Sequence, residues 1–130
     1  MAEHPNATLI RDGFEMFNRA DVEGLSGLIA EDAVQRMPGE NAVSGEHKGR
    51  DNILAMYGKL GELTGGTFRA ELQEVYANDD RVVAIYQGKG QRGDQTLDSR
   101  RAIVFQIVGR QIVALDDISS DLDGDNAFFA

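Results

Sequence analysis

The chain has 130 residues, of which 42% are hydrophobic and 27% charged, and these proportions predict one globular domain with its own hydrophobic core. The formal charge of −9 at pH 7 argues against binding nucleic acid, which depends on clustered Lys and Arg. Cysteine is absent, which excludes disulfides and thiol chemistry. No apolar run is long enough to cross a membrane and the first residues do not resemble a secretory signal, so we expect a cytoplasmic protein.

Three helices are predicted in the first half of the chain. Residues 6–20 and 50–63 carry apolar side chains at the spacing of one helical face. Asp21 can cap a shorter helix between them, and the Gly65-Gly66 pair is typical of a helix end. All three helices therefore need a common surface to cover.

Strands are predicted to supply that surface. Two short ones flank the turn at Pro38-Gly39, and four longer ones follow over residues 67–77, 81–89, 96–108 and 111–119. Because the last four are joined by short turns rich in Asn, Asp and Gly, the sheet is predicted to be mostly antiparallel.

The last two strands are apolar on both alternating rows, which predicts that both faces of the sheet are covered. The helices cover one face. For the other we expect a second copy of the same sheet, and therefore a homodimer. The alternative is that a loop or the tail Phe128-Phe129 covers that face within one subunit. The acidic residues Asp121, Asp123 and Asp125 are predicted to form a solvated tail.

Four short motifs contain turn residues: Met37-Pro38-Gly39, Ser44-Gly45-Glu46-His47-Lys48-Gly49, Gly65-Gly66-Thr67-Phe68 and Ala77-Asn78-Asp79-Asp80. Together they are similar to motifs of the SnoaL-like proteins, within the nuclear transport factor 2-like superfamily. The resemblance spans nearly the whole chain and implies an α+β fold, a cone-shaped α+β barrel in which three helices pack on a curved, mostly antiparallel sheet of about six strands. It also implies a cavity for a hydrophobic small molecule and no cofactor.

The chain departs from the pattern of the SnoaL-like proteins at several functional positions. Gln35-Arg36 stands where such relatives often have Trp-His, so an imidazole base is absent there. The residues expected of a ketosteroid isomerase fall approximately on Gly13, Met37 and Ile103, none of which could perform that chemistry. Ketosteroid isomerase activity by the known mechanism is therefore not expected.

Asp116 is the leading candidate for a proton-transfer group. Strict alternation would place it in an apolar row with Ile112 and Ala114, where poor solvation raises a carboxyl pKa toward neutrality. Asp117 would then point to the other face. The sequence leaves open which of the two aspartates faces the cavity, and it is equally compatible with both lying near solvent.

Arg101 and Arg36 are the candidate partners of that carboxylate, because a cation beside a proton-transfer group could hold a substrate oxygen. A satisfied surface or interface ion pair is the alternative for either arginine. Asp98, Arg100 and Asp116 resemble only weakly the Asp-Arg-Asp set of the limonene-epoxide-hydrolase-like branch.

The predicted ligand contacts are aromatic or adaptable apolar side chains: Tyr57, Tyr76, Met37, Phe105 and Phe17. The two histidines, His4 and His47, are too few and too isolated to predict a metal site. The sequence thus predicts binding of a hydrophobic small molecule with cofactor-independent acid–base catalysis, of the isomerase, cyclase, dehydratase or epoxide hydrolase kind. A non-catalytic binding or dimeric interaction module of the same fold is the alternative.

Overall fold

The computed structural model describes residues 3–130, which form four helices and one six-stranded sheet. In chain order the elements are α1 (Pro5–Asn18), α2 (Val22–Leu28), β1 (Ile29–Met37), β2 (Gly45–Lys48), α3 (Arg50–Leu63), β3 (Arg69–Ala77), β4 (Arg81–Arg92), β5 (Gln95–Val108), β6 (Gln111–Ser119) and α4 (Leu122–Phe128). The predicted α+β class and the three helices of the first half are confirmed.

The strands are ordered β2-β1-β6-β5-β4-β3, and every neighbouring pair is antiparallel except β1 with β6. The sheet is curved but not closed, with β2 and β3 at its edges. The prediction of a mostly antiparallel six-stranded sheet is therefore confirmed. No helix in residues 3–130 is both long enough and apolar enough to cross a lipid bilayer.

Local signals account for where the helices begin and end. Pro5 occupies the first turn of α1, where its missing N–H costs nothing. The Asp21 carboxylate accepts a hydrogen bond from the backbone N–H of Gly24 and so caps α2. After α3 the chain turns through Gly65 and Gly66, which both have positive φ values that favour glycine.

The core lies between the helices and the inner face of the sheet. Ile10 of α1 and Ile53 of α3 are almost completely buried against Val82, Ala84 and other side chains of the sheet. A second cluster fills the end of this layer, where Phe128 and Phe129 pack with Met56, Leu60, Val43 and Leu97.

The C-terminal helix α4 corrects the predicted solvated tail. Asp121 caps it by accepting a hydrogen bond from the N–H of Gly124, and Asp123 stays exposed. Asp125, however, is only 3% exposed and forms an ion pair with Arg101. Because the charge of Asp125 is compensated inside the protein, its burial is possible.

The outer face of the sheet carries a row of apolar side chains that face away from the helices. Val83, Ile85 and Val104 are half-buried, and Ile118 is 54% exposed. The tail does not cover this face, since Phe129 packs on the helix side of the sheet.

Candidate functional site

A cavity of about 90 Å³ lies in the core between α1, α3 and the inner face of the sheet. Its wall is mostly aliphatic and aromatic. The side chains that close it include Phe14 and Phe17 from α1, Met56 and Leu60 from α3, and Phe129 after α4. A mostly apolar cavity with few polar groups is the usual form of a small-molecule site.

Five polar side chains from four strands and one helix reach this cavity. They are Gln35 of β1, Tyr57 of α3, Tyr86 of β4, Arg101 of β5 and Asp117 of β6. Of the residues in 3–130 that line it, Asp117 is the only carboxylic acid.

Asp117 faces inward because β6 contains a β-bulge. Ile107 pairs with Ile112 but Gln106 pairs with Ala114, so Val113 has no partner across the ladder. An extra residue shifts the alternation by one, which moves every later side chain to the other face. Beyond the bulge, Asp117 lies opposite Ile103 on the inner face.

The predicted inward orientation of Asp116 is therefore wrong. Asp116 lies opposite Val104 on the outer face, where its carboxylate is 3.4 Å from the Arg36 guanidinium. Arg36 also contacts Glu46 at 3.0 Å, and about half of its side chain is exposed. Asp116 and Arg36 thus form an ion pair on the outer face of the sheet, away from the cavity.

A chain of two hydrogen bonds ends at Asp117. The Tyr57 hydroxyl donates to Oε1 of Gln35 at 2.6 Å, and Nε2 of Gln35 donates to Oδ1 of Asp117 at 2.8 Å. Gln35 is 2% exposed, so this amide has little access to solvent. Every fully buried side-chain oxygen and nitrogen in residues 3–130 has a hydrogen-bond partner. Oδ2 of Asp117 accepts no hydrogen bond from any of these residues, so it is not fully buried. That oxygen therefore keeps accessible surface.

The environment of Asp117 makes its carboxyl group weakly acidic. Burial raises its pKa to about 7, although the hydrogen bond from Gln35 and the positive charge of Arg101 act in the opposite direction. The negative charges of Asp116 and Asp125 raise it further. Near neutral pH both the acid and the carboxylate are therefore populated, which suits a group that gives and takes protons.

Arg101 lies beside Asp117 but is held by another residue. Its two terminal nitrogens each donate to one carboxylate oxygen of Asp125 at 2.8 Å, and Nη1 also donates to Ser99. A Cβ atom at Gly88 would lie 2.8 Å from Cδ of Arg101, so glycine allows the arginine stem to cross β4. Asp125 thus neutralises most of the charge that could otherwise pair with Asp117.

The two phenols in the wall are neutral hydrogen-bond donors. Burial is the main cause that raises the pKa of Tyr57, and the negative charge of Asp117 adds to it. The pKa of Tyr86 is raised by the same two causes, partly offset by Arg101. Both hydroxyls therefore keep their protons throughout the physiological pH range.

The structure brings together most of the predicted ligand contacts. Tyr57, Met37, Phe105 and Phe17 all line the cavity, as does Arg101, and their roles toward a ligand stay predictions. Tyr76 does not, because it is 61% exposed and donates to Glu74 on the outer face.

A second bulge explains the misplacement of Tyr76. Leu72 pairs with Tyr86 and Glu74 pairs with Ile85, which leaves Gln73 as the extra residue in β3. The apolar residues Leu72 and Val75, three positions apart, are a signal in the sequence that strict alternation fails here.

Sequence reasoning also missed Gln35, Tyr86 and Asp125 as parts of the site. At Gln35 the sequence indicates only that an imidazole base is absent. Tyr86 alternates with Val82 and Ala84 on the inner row of β4, and this regular pattern could have identified it. Asp125 has no comparable signal, because its burial depends on the distant Arg101.

Comparisons with known proteins agree with this architecture. The SnoaL-like domain model matches residues 10–115. An uncharacterized protein of Mycobacterium tuberculosis is 31% identical over 131 residues, with all of both chains covered. Among solved structures, Bal32a from a soil-derived mobile gene cassette is 36% identical, with a TM-score of 0.93 over 96% of each chain. IdmH of Streptomyces antibioticus, a proposed polyketide cyclase, is 21% identical and has a TM-score of 0.77 over 91% of this chain and 94% of its own.

Proposed function

This chain belongs to the SnoaL-like domain family, and we propose that it is a cofactor-independent enzyme that moves a proton on an apolar small molecule. The observation that carries the proposal is Asp117, a carboxylic acid with a pKa near 7 inside an otherwise mostly apolar cavity. A carboxyl group poised in this way can remove a proton at one position of a ligand and return it at another.

The other polar groups of the cavity fit an uncharged ligand that carries an acceptor oxygen. Tyr86 is a neutral donor, and Arg101 is already paired with Asp125, so a negatively charged ligand would find no free cation in the described wall. An oxygen that gains partial negative charge during the reaction would be stabilised by the Tyr86 hydroxyl and the neighbouring guanidinium. Isomerisation, cyclisation, dehydration and epoxide opening all require that such an oxygen be stabilised.

A screen by thermal shift tests binding first, because a ligand that binds only the folded state raises its melting temperature. The panel comprises apolar ketones, terpenoid epoxides, aromatic polyketide-like compounds and fatty acids. Ketones or epoxides are expected to stabilise the protein, and fatty acids at pH 8 are not. A preference for anionic ligands would contradict the proposed ligand class.

Turnover of each stabilising compound is then compared between Asp117→Asn and the matched control Asp116→Asn. The two substitutions make the same chemical change on neighbouring residues, one inside the cavity and one on the outer face. We expect loss of turnover only in the first variant. Binding without turnover in the wild type would support the alternative, a non-catalytic ligand carrier, which the largely apolar wall also favours.

We also propose that the outer face of the sheet pairs with a second copy of the chain. The support is the apolar row that includes Val83, Val104 and Ile118, exposed or half-buried in the single chain. Sedimentation of the wild type should give a dimer, and Ile118→Arg should shift it toward the monomer. A wild type that stays monomeric at high concentration would refute this arrangement.

A further inference from the structure

The orientation of the Gln35 amide is set by its hydrogen bond with the Tyr57 hydroxyl. An amide has one accepting oxygen and one donating nitrogen, and it can turn about its last bond to exchange them. The Tyr57 hydroxyl keeps its proton and lies 2.6 Å from this amide, where it donates to Oε1. The nitrogen must then point the other way, toward Oδ1 of Asp117 at 2.8 Å.

The reversed amide would favour a different form of Asp117. In that orientation Oε1 would face the aspartate and could accept a hydrogen bond only from a protonated carboxyl group. Orientation of the amide and protonation of Asp117 are therefore coupled. The Tyr57 hydroxyl could also accept from the nitrogen of the reversed amide, but its own proton would then lack an acceptor, because Gln35 is its only hydrogen-bond partner among the described residues. Tyr57 therefore favours the orientation in which Oδ1 is occupied as an acceptor.

We infer that Tyr57 is a positioning residue that acts through Gln35 to reserve Oδ2 of Asp117 for the proton that is exchanged with the ligand. The inference rests on the proposed function for the identity of the exchanged proton, but the hydrogen-bond geometry stands without it. Oδ1 is held by the amide, whereas Oδ2 accepts no hydrogen bond from the described residues and keeps accessible surface on a side chain that lines the cavity.

Several groups besides Gln35 and Tyr57 act on Asp117, so the test must leave them in place. They are Tyr86 from β4, Arg101 from β5, Asp125 from α4 and the adjacent Asp116. Tyr57→Phe removes one oxygen that does not itself hydrogen-bond to Asp117. The phenyl ring that remains can keep the edge-to-face contact with Phe17, whose centroid lies 5.2 Å away.

The experiment is a carboxyl ¹³C NMR titration of Asp117 in the full chain. In Tyr57→Phe the amide is free to reverse and accept from the protonated acid, so the pKa of Asp117 should rise by about 0.5–1 pH unit, the effect expected of one hydrogen bond. Gln35→Leu should raise it at least as much, because it removes the donor itself. Tyr76→Phe is the matched control, since it removes a phenol on the exposed outer face and should leave the titration unchanged.

The outcomes separate this inference from the proposed function. An unchanged Asp117 titration in Tyr57→Phe, with a folded protein and a clear shift in Gln35→Leu, would show that Tyr57 only packs and would overturn the inference. No shift in either variant would overturn it as well. A shift in both variants supports the inference even if no substrate is found, whereas unaffected turnover in Asp117→Asn would refute the catalytic proposal alone.

Once a substrate is known, kinetics supply a second readout. Tyr57→Phe should lower kcat more than it raises KM. The carboxyl group still borders the cavity, but with the amide reversed its proton lies part of the time on the oxygen that faces Gln35 and not on the one that exchanges a proton with the ligand. A change confined to KM would contradict a positioning role.

Discussion

Replacing Asp117 with Asn should stabilise the folded protein at alkaline pH, because the substitution removes a poorly solvated negative charge. The pKa of Asp117 is raised from 3.8 to about 7 in the folded state. Between these values the folded protein binds a proton that the unfolded chain has already released, so stability falls as pH rises. Asn has nearly the same shape, can still accept from Gln35 and carries no charge.

The size of the effect follows from the same two pKa values. Moving a carboxyl pKa from 3.8 to about 7 costs the charged folded form about 4 kcal/mol. Asp117 borders a cavity that water can enter, which reduces the cost of its charge, so we expect Asn to gain about 2 kcal/mol above pH 8. As pH falls through 3.8, the carboxyl group of Asp117 becomes protonated in the unfolded state as well as in the folded one, and the advantage of Asn should shrink toward zero.

The assay is chemical denaturation of both proteins from pH 4 to pH 9, followed by subtraction of the two profiles. Carboxylates that do not interact with Asp117 contribute equally to both profiles and cancel in the subtraction. Asp116→Asn is the control, and its exposed pairing with Arg36 should contribute less than about 1 kcal/mol without the same pH dependence. A difference between Asp117→Asn and the wild type that is independent of pH would refute the raised pKa of Asp117 in the folded state.

Three further substitutions test the packing around the cavity, each by equilibrium denaturation. Asp125→Ala should cost about 3–5 kcal/mol, because it leaves the buried Arg101 charge without its partner. Phe129→Ala should cost about 3 kcal/mol and enlarge the cavity, since that ring is 3% exposed and forms part of the wall. Gly88→Ala should cost about 1–3 kcal/mol, because the new Cβ would press on Cδ of Arg101, and a neutral result would contradict the close approach at that position.

The elements of the fold were largely predictable because they depend on local patterns. Residues 50–63 and 111–119 were predicted with the bounds that the structure gives to α3 and β6. Periodic apolar residues and glycine turns act over a few positions and are read directly from the chain. The short helix α4 was missed because its acidic composition is typical of solvated chain, although Asp121 and Gly124 fit a helix cap.

The inward and outward directions of side chains were less predictable, and the two errors have one cause. Gln73 and Val113 are each an extra residue in a strand, and each reverses the alternation for the residues that follow. Tyr76 and Asp116 were therefore assigned to the cavity face when they lie on the outer one. Apolar residues on both rows of β6 removed the contrast that would have revealed the shift.

The acidity of Asp117 depends on a residue of α4 that does not touch it. Asp125 holds the Arg101 guanidinium through two hydrogen bonds, and its own negative charge also disfavours ionisation of Asp117. In Asp125→Asn the guanidinium loses its charged partner, and Asp117 is the only carboxylic acid among the described residues that line the cavity with Arg101. We therefore expect the pKa of Asp117 to fall well below 7 in this variant, which carboxyl NMR would detect.

Asp123→Asn is the matched control. It removes a neighbouring charge from the exposed side of α4 and should leave the pKa of Asp117 unchanged. An equal response of the two variants would mean that net charge alone controls Asp117. A fall confined to Asp125→Asn would show that the ion pair keeps the arginine from neutralising the cavity acid. The C-terminal helix would then contribute to the chemistry of the site as well as to its closure.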